Sequence, residues 1–298
     1  MASVDINGIT LTYESSGDPQ GPAVLLNMGL ALQLISWPRE FVDGLVQRGY
    51  HVIRYDNRDA GLSSHFDHLG VPNLWLAYMR HLFGWPQQAP YTLNDMAGDA
   101  LGLLDALGVA AAHIVGVSMG GMVAQIMAAR YPGRTLSLTS IMSSSGRPGL
   151  PGPSPAARRI LLRRTPSAHH RGRVVEQMVD TFRTIGSPGF PMPDDLLRQM
   201  AGEAVARNVN GNGVVRQLVA IAASGDRSAL LREIACPALV IHGDADPLVP
   251  CACGIDTARQ IPGARLEVIQ GMGHDMPPAL VGRLLALLDQ HLRGKMAG

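Results

Sequence analysis

Three residue types able to make a nucleophilic relay stand far apart in this 298-residue chain: Ser118, Asp246 and His274. Ser118 lies in Gly116-Val117-Ser118-Met119-Gly120, between an apolar run (Ile114, Val115) and a stretch of helical composition over residues 122–131. In a strand–turn–helix, a Gly-x-Ser-x-Gly turn holds the serine in strained backbone, and the glycines let strand and helix pass close to it. The hydroxyl then projects where a base can reach it, near the free N–H groups and partial positive charge of a helix N-terminus. By itself the pentapeptide is equally the signature of an ordinary turn, so the partners decide.

A serine hydroxyl is barely ionised at neutral pH, so it needs a general base, and that base needs an acid to orient it. In a doubly wound sheet, reactive groups collect at the carboxyl ends of the strands. Of the ten histidines, only His274 follows a strand in a late glycine-flanked loop, Gly271-Met272-Gly273-His274. His242 ends a strand beside an aspartate loop and reads as structural. His51 and His113 begin strands, His291 belongs to the terminal helix, and His65, His68, His81, His169 and His170 fall in inserted segments. Asp244 and Asp246 both follow the strand ending at His242. Asp246, set further out and followed by Pro247, is placed to turn towards His274, whereas Asp244 suits local turn hydrogen bonds. An oxyanion formed at Ser118 would need two N–H donors. Met119 offers one, and Leu30, in the glycine turn Met28-Gly29-Leu30 after an early core strand, offers the other.

The elements that must position these groups follow from periodicity. Residues 4–15 alternate about Asn7-Gly8, a hairpin signal. Apolar runs at 23–27, 51–55, 113–117, 136–142, 238–242 and 265–269 predict strands. Between them, helical stretches are expected at about 36–48 (capped by Ser36), 91–107, 122–131, 254–260 and 277–293. Strand–helix alternation after an initial hairpin implies a mostly parallel, doubly wound α/β sheet. The alternation breaks at Ser143. The Pro/Gly stretch from Arg147 to Pro155 leads into helices without strand signals, so residues 147–232 read as an inserted helical cap on a core of 1–146 and 233–298. Residues 73–85 carry Trp75, Tyr78, Met79, Leu82 and Phe83 on one helical stripe. They are expected either to roof a substrate pocket or to pack on the core, a partner or membrane surface ranking last. Met178 and Phe182 of the cap, with Trp75, Met79 and Phe83, are the candidate pocket residues.

Hydrophobic residues make up 46% of the chain and charged residues 16%, enough for a sizeable core. A formal net charge of +1 gives no global case for nucleic acid or an anionic membrane. Lys295 is the only lysine, and seven arginines without an acidic residue lie between Arg147 and Val175, which reads as a solvated face. Three cysteines, Cys236, Cys251 and Cys253, are too few for a disulfide framework, and the Cys251-Ala-Cys253 spacing matches no usual zinc or redox pair. The first residues carry no signal-peptide pattern and no apolar run reaches the length of a membrane span, so a cytoplasmic, monomeric or homodimeric protein is expected.

With Met-Gly-Leu at 28–30, Asp56-Asn-Arg-Asp-Ala-Gly-Leu-Ser63, Gly-Val-Ser-Met-Gly-Gly at 116–121, His-Gly-Asp-Ala-Asp-Pro at 242–247 and Gly-Met-Gly-His at 271–274, the chain resembles the α/β-hydrolase superfamily, in particular bacterial carboxylesterases with a helical cap. Two of these motifs are similar to those of aclacinomycin methylesterases and 3-oxoadipate enol-lactonase-like proteins. Many relatives have His-Gly where this chain has Met28-Gly29, a feature shared with the methylesterase-like group. The resemblance implies a serine carboxylic-ester hydrolase acting on short- to medium-chain or small hydrophobic esters, without metal or organic cofactor. A lactonase or polyketide methylesterase could use the same three residues. A non-catalytic ligand-binding protein on the same fold is the reading from another class. Serine at position 118 argues against dehalogenase and epoxide-hydrolase chemistry, which need a carboxylate there, and Met119 in place of Trp argues against an iminopeptidase.

Overall fold

The computed structural model describes residues 1–83, 85–166 and 168–294. The side chains of Tyr78, His81 and Leu82, and Lys295, lie outside the described residues.

The chain opens with β1 (Ala2–Ile6) and β2 (Ile9–Ser16), joined through Asn7 (φ 49°) and Gly8 (φ 77°). Two consecutive left-handed residues make the type I′ turn whose twist matches a hairpin. β3 (Ala23–Asn27) is buried along its whole length, as a strand covered on both faces must be. A 3₁₀ turn at Leu34–Ser36 precedes α1 (Arg39–Val46), so Ser36 does not cap that helix: its N–H donates to Gln33 O within the turn, and Pro38 occupies the capping position. β4 (His51–Tyr55), α2 (Leu74–Leu82), α3 (Leu93–Ala106), β5 (Ala112–Val117), α4 (Met119–Arg130) and β6 (Thr135–Ile141) follow. The start of α3 is set by a capping box, with Thr92 and Asp95 each satisfying the other's backbone N–H.

Between β6 and β7 (Ala238–Gly243) run α5 (Pro155–Leu161), α6 (Arg171–Ile185), α7 (Asp194–Arg207), α8 (Gly211–Ser224) and α9 (Ser228–Leu231). The chain closes with α10 (Cys251–Gln260), β8 (Arg265–Ile269) and α11 (Pro278–Arg293). Among the described residues the strands form one sheet, ordered β1-β2-β4-β3-β5-β6-β7-β8. β1, β2 and β4 pair antiparallel in sequence, and every pairing from β4 through β8 is parallel.

Each face of the sheet is sealed by its own cluster. α3 and α4 cover one face with residues such as Leu103, Met119 and Val123, and α1 and α11 cover the other with Phe41, Leu45 and Leu284. Truncating one of these to alanine would cost roughly 2–5 kcal/mol, because the rigid sheet behind it cannot collapse into the void. A smaller cluster, Val179, Leu197 and Ala201, holds α6 to α7. From β3 the chain passes to β4 on one side and later returns to β5 on the other, which makes the gap between β3 and β5 a topological switch point. Ligands bind doubly wound sheets at the carboxyl ends of such strands. The turn 28–31 leaves β3 there, and Ser118 leaves β5 there. Among the described residues, no helix is long and apolar enough to cross a membrane.

Candidate active site

Ser118 is the single residue between β5 and α4, at φ 55° and ψ −118°. A non-glycine residue held there costs about 1–3 kcal/mol and persists only when its surroundings over-determine it. Two bonds do so here. The Ser118 N–H donates to Ile141 O (2.9 Å), and Ser143 Oγ donates to Ser118 O (2.8 Å). A side chain on Gly116 would run into the Gly120 carbonyl, and one on Gly120 into the Asn27 carbonyl, so both glycines are sterically required. The strand turns directly into the helix, which starts at Met119 rather than at the expected position 122.

His274 meets this serine. Its Nε2 lies 3.0 Å from Ser118 Oγ, and its Nδ1 lies 2.7 Å from Asp246 Oδ2. Asp246 Oδ1 accepts the N–H groups of Leu248 (2.9 Å) and Val249 (2.8 Å). Burial pushes the Asp246 carboxyl up, but His274, His242 and the Val249 N–H outweigh it and bring the value down to about 2. The carboxylate is therefore ionised and accepts the Nδ1 proton, which leaves Nε2 as the acceptor facing the serine hydroxyl. His242 is fully buried, with Nε2 donating to Val249 O at 2.7 Å and lying 3.5 Å from Asp246 Oδ2. Asp244 departs from the local turn role expected of it: Oδ1 accepts the Gly271 N–H at 2.7 Å, tying the loop after β7 to the loop that carries His274.

Across from the serine is the turn after β3. A Cβ on Gly29 would stand 3.3 Å from Ser118 Cβ, so glycine allows the turn to approach this closely. Ala31 is held at φ 63°, and its N–H donates to Gln217 Oε1 (2.9 Å), while Gln217 Nε2 donates to Arg58 O (2.8 Å). Asn57 Nδ2 donates to Met28 O (3.0 Å), and the Leu32 N–H to Gly29 O (3.3 Å). Leu30 thus sits in a turn fixed on both sides. Met119, the first residue of α4, has no carbonyl one turn earlier in its helix for its own N–H.

Ser118, His274 and Leu30 open onto a cavity of about 500 Å³ between the sheet's carboxyl end and helices α5 to α8. Met178 and Phe182 line it. Trp75, Met79 and Phe83 do not: among the described residues, nothing from α2 reaches the lining. α2 lies against α8, and Trp75 and Phe83 are 69% and 56% exposed. An apolar stripe shows that a helix has a face but not which neighbour that face meets, and here the neighbouring helix stands between α2 and the cavity. Of the arginine run, Arg163 lines the cavity and reaches Asp180 at 3.5 Å, and Arg147 pairs with Asp256 at 2.6 Å.

Sequence reasoning missed the residues that hold the helices between β6 and β7 onto the site. Arg216 on α8 is fully buried against Asp59, and Arg207 at the end of α7 reaches buried Asp56 at 2.7 Å while donating to Gln33 Oε1. Asp56 Oδ1 in turn accepts the Leu34 N–H. Both aspartates lie in the 56–63 motif, but their arginines come from a segment some 150 residues later whose charges resemble any solvated helix.

A profile of the alpha/beta hydrolase fold matches residues 22–277. The chain is 32% identical to rhodomycin D methylesterase DnrP of Streptomyces peucetius, covering 96% of this chain and 95% of that protein. Among solved structures it is similar to a thermophilic esterase from Thermogutta terrifontis, with TM-score 0.70, 27% identity and 99% of both chains covered. It also shares the fold of an enol-lactonase from Burkholderia xenovorans, with TM-score 0.71, 24% identity and both chains covered in full.

Proposed function

The chain belongs to the alpha/beta hydrolase fold family, and from that premise we propose that it is a serine carboxylic-ester hydrolase working through an acyl-enzyme. The observation that carries this reading is the unbroken line Oγ(Ser118)–Nε2/Nδ1(His274)–Oδ2(Asp246), at 3.0 and 2.7 Å, opening onto one apolar-walled cavity. His274 takes the hydroxyl proton as Ser118 attacks the ester carbonyl. The N–H groups of Leu30 and Met119 hold the oxyanion, and His274 returns the proton to the departing alcohol. Water activated by His274 then clears the acyl-enzyme. Asp246 keeps the proton on Nδ1 and stabilises the imidazolium formed twice in each cycle. The helices α5 to α8 act as a cap over the acyl pocket.

The substrate reading is an ester of a small alcohol, such as a methyl ester, with a bulky and largely apolar acid. A volume near 500 Å³ falls within the range of pockets that enclose ligands of drug size. Met178, Phe182 and Met192 offer adaptable apolar walls. The similarity over nearly the whole length to a methylesterase supports the same choice.

The test is hydrolysis of p-nitrophenyl butyrate, alongside a panel of aryl methyl esters and lactones, by the wild type and by Ser118→Ala. The variant should lose several orders of magnitude in kcat, since the covalent route disappears. Undiminished hydrolysis by Ser118→Ala would end this reading. Stoichiometric labelling of Ser118 by an organophosphonate, with no turnover of any panel member, would favour a binding protein instead.

A further inference from the structure

Resting on the esterase reading above, we propose that Ser187, at the corner between α6 and α7, is a positioning residue for the base His274: its hydroxyl bridges the residues on either side of the imidazole, accepting the Gly273 N–H and donating to the Asp275 carboxylate.

The corner and the base loop are laced together over a few residues. The His274 N–H donates to Ile185 O (2.7 Å), the Gly189 N–H to Gly271 O (2.9 Å) and the Gly273 N–H to Ser187 Oγ (2.8 Å). Ser187 Oγ in turn donates to Asp275 Oδ1. Ser187 and Asp275 are 3% and 6% exposed, so water does not substitute for these bonds. The backbones are in contact as well: a Cβ on Gly273 would meet the Gly186 carbonyl, and one on Gly189 would stand 2.9 Å from Gly271 Cα. Ser187 holds both neighbours of His274 at once, using a hydroxyl as donor and acceptor together. Alanine can do neither.

The arrangement bears on chemistry because a general base works only within hydrogen-bond reach of its proton, and small misplacements are expensive. His274 has Asp246 behind Nδ1, Ser118 before Nε2, His242 beyond Asp246, and Asp275 next to it in the chain. Burial pushes the Asp275 carboxyl up, while the hydrogen bonds from Ser187 and the proximity of His274 pull it back. Removing the Ser187 hydroxyl therefore leaves Asp275 more protonated at a given pH. The imidazolium that His274 forms during turnover then loses part of a neighbouring negative charge. The same corner ends the helix whose Met178, Phe182 and Ile185 line the cavity, so the wall of the acyl pocket and the base loop are one connected piece.

The experiment compares the full-length wild type, Ser187→Ala and Asp275→Asn on p-nitrophenyl butyrate. Ser187→Ala should lower kcat by about 10- to 100-fold with KM within about 3-fold, since the loss falls on base geometry rather than on substrate binding. The acid limb of its kcat/KM profile should move to lower pH, and Asp275→Asn, which keeps the shape and removes the charge, should move it the same way. Wild-type kcat and an unmoved acid limb in Ser187→Ala, with only a lower Tm, would overturn the proposal. If Ser187→Ala does not fold, an unmoved acid limb in Asp275→Asn overturns it alone. The rate at which an organophosphonate labels Ser118 reads the same activation without ester turnover. Slower labelling of Ser187→Ala than of wild type supports the positioning role even where the esterase reading fails, and equal rates count against it.

Discussion

Arg216 and Asp59 form a fully buried, two-pronged ion pair, with Nε donating to Oδ2 at 2.8 Å and Nη2 to Oδ1 at 2.7 Å. The Tyr91 hydroxyl (2.8 Å), the Phe66 N–H (2.9 Å) and Asn210 Nδ2 (3.3 Å) also donate to this carboxylate. A charge pair of this kind joins the loop after β4 to α8, and so holds the roof of the cavity to its floor.

Replacing Arg216 by alanine strands the Asp59 carboxylate without its counter-charge. Removing one partner of a buried pair costs about 3–5 kcal/mol, and urea denaturation should show a loss of that size. Burial pushes Asp59 up, but Arg216, Phe66 and Tyr91 outweigh it, so its folded value is depressed. A depressed carboxyl contributes stability that is present above its unfolded value and lost as pH falls through its folded one. Below about pH 4 the wild type should therefore lose stability more steeply than Arg216→Ala.

Asp246 is ionised down to about pH 2. Its stabilising contribution is complete above its unfolded value and disappears only between there and about 2, so protonation of Asp246 cannot cause an acid limb near neutrality. Asp246→Asn should leave the fold intact and reduce kcat by about 10⁴-fold, because the amide permits the wrong imidazole tautomer. A loss below about 10-fold in kcat would place the orienting acid elsewhere.

Gln217 holds Ala31 in left-handed backbone, next to the Leu30 N–H proposed to hold the oxyanion. Loss of an oxyanion donor outright costs about 10²–10³-fold in kcat, so a loosened one should cost about 10-fold. Gln217→Ala is expected to show that loss in kcat with KM little changed, measured under saturating ester. An effect confined to KM would mean that the turn binds substrate and transition state alike.

Phe182 lines the cavity, whereas Trp75 on α2 and Phe83 just beyond its end stand exposed. Phe182→Ala should shift the kcat/KM preference towards larger acyl groups, by about 10-fold or more between butyrate and an aromatic acid ester, since apolar pockets discriminate by about 1–3 kcal/mol per methylene. Trp75→Ser and Phe83→Ser should leave that preference within about 2-fold of wild type. A preference altered by the Trp75 and Phe83 variants and untouched by Phe182→Ala would reverse this assignment.

The sequence by itself determined what depends on near neighbours in the chain. Asn7-Gly8 can hardly be anything but a tight hairpin turn, and short apolar runs alternating with amphipathic stretches give a mostly parallel sheet with helices on both faces. The glycines around Ser118 announce a strained elbow because no other residue fits beside it. Even the distant pairing of Asp246 with His274 was legible, since a parallel sheet delivers the residues after its strands to one edge.

Tertiary structure alone decided the rest. Whether α2 faced the cavity depended on which helix it lay against, and a periodic stripe does not encode that. Asp244 reached across to Gly271, and Ser187 to the two neighbours of His274, because loops remote in sequence meet at the sheet's edge. Arg207 and Arg216 look like surface charges in the sequence. They became buried clamps once folding removed water from around Asp56 and Asp59, where an ion pair is strong and an unpaired charge costly.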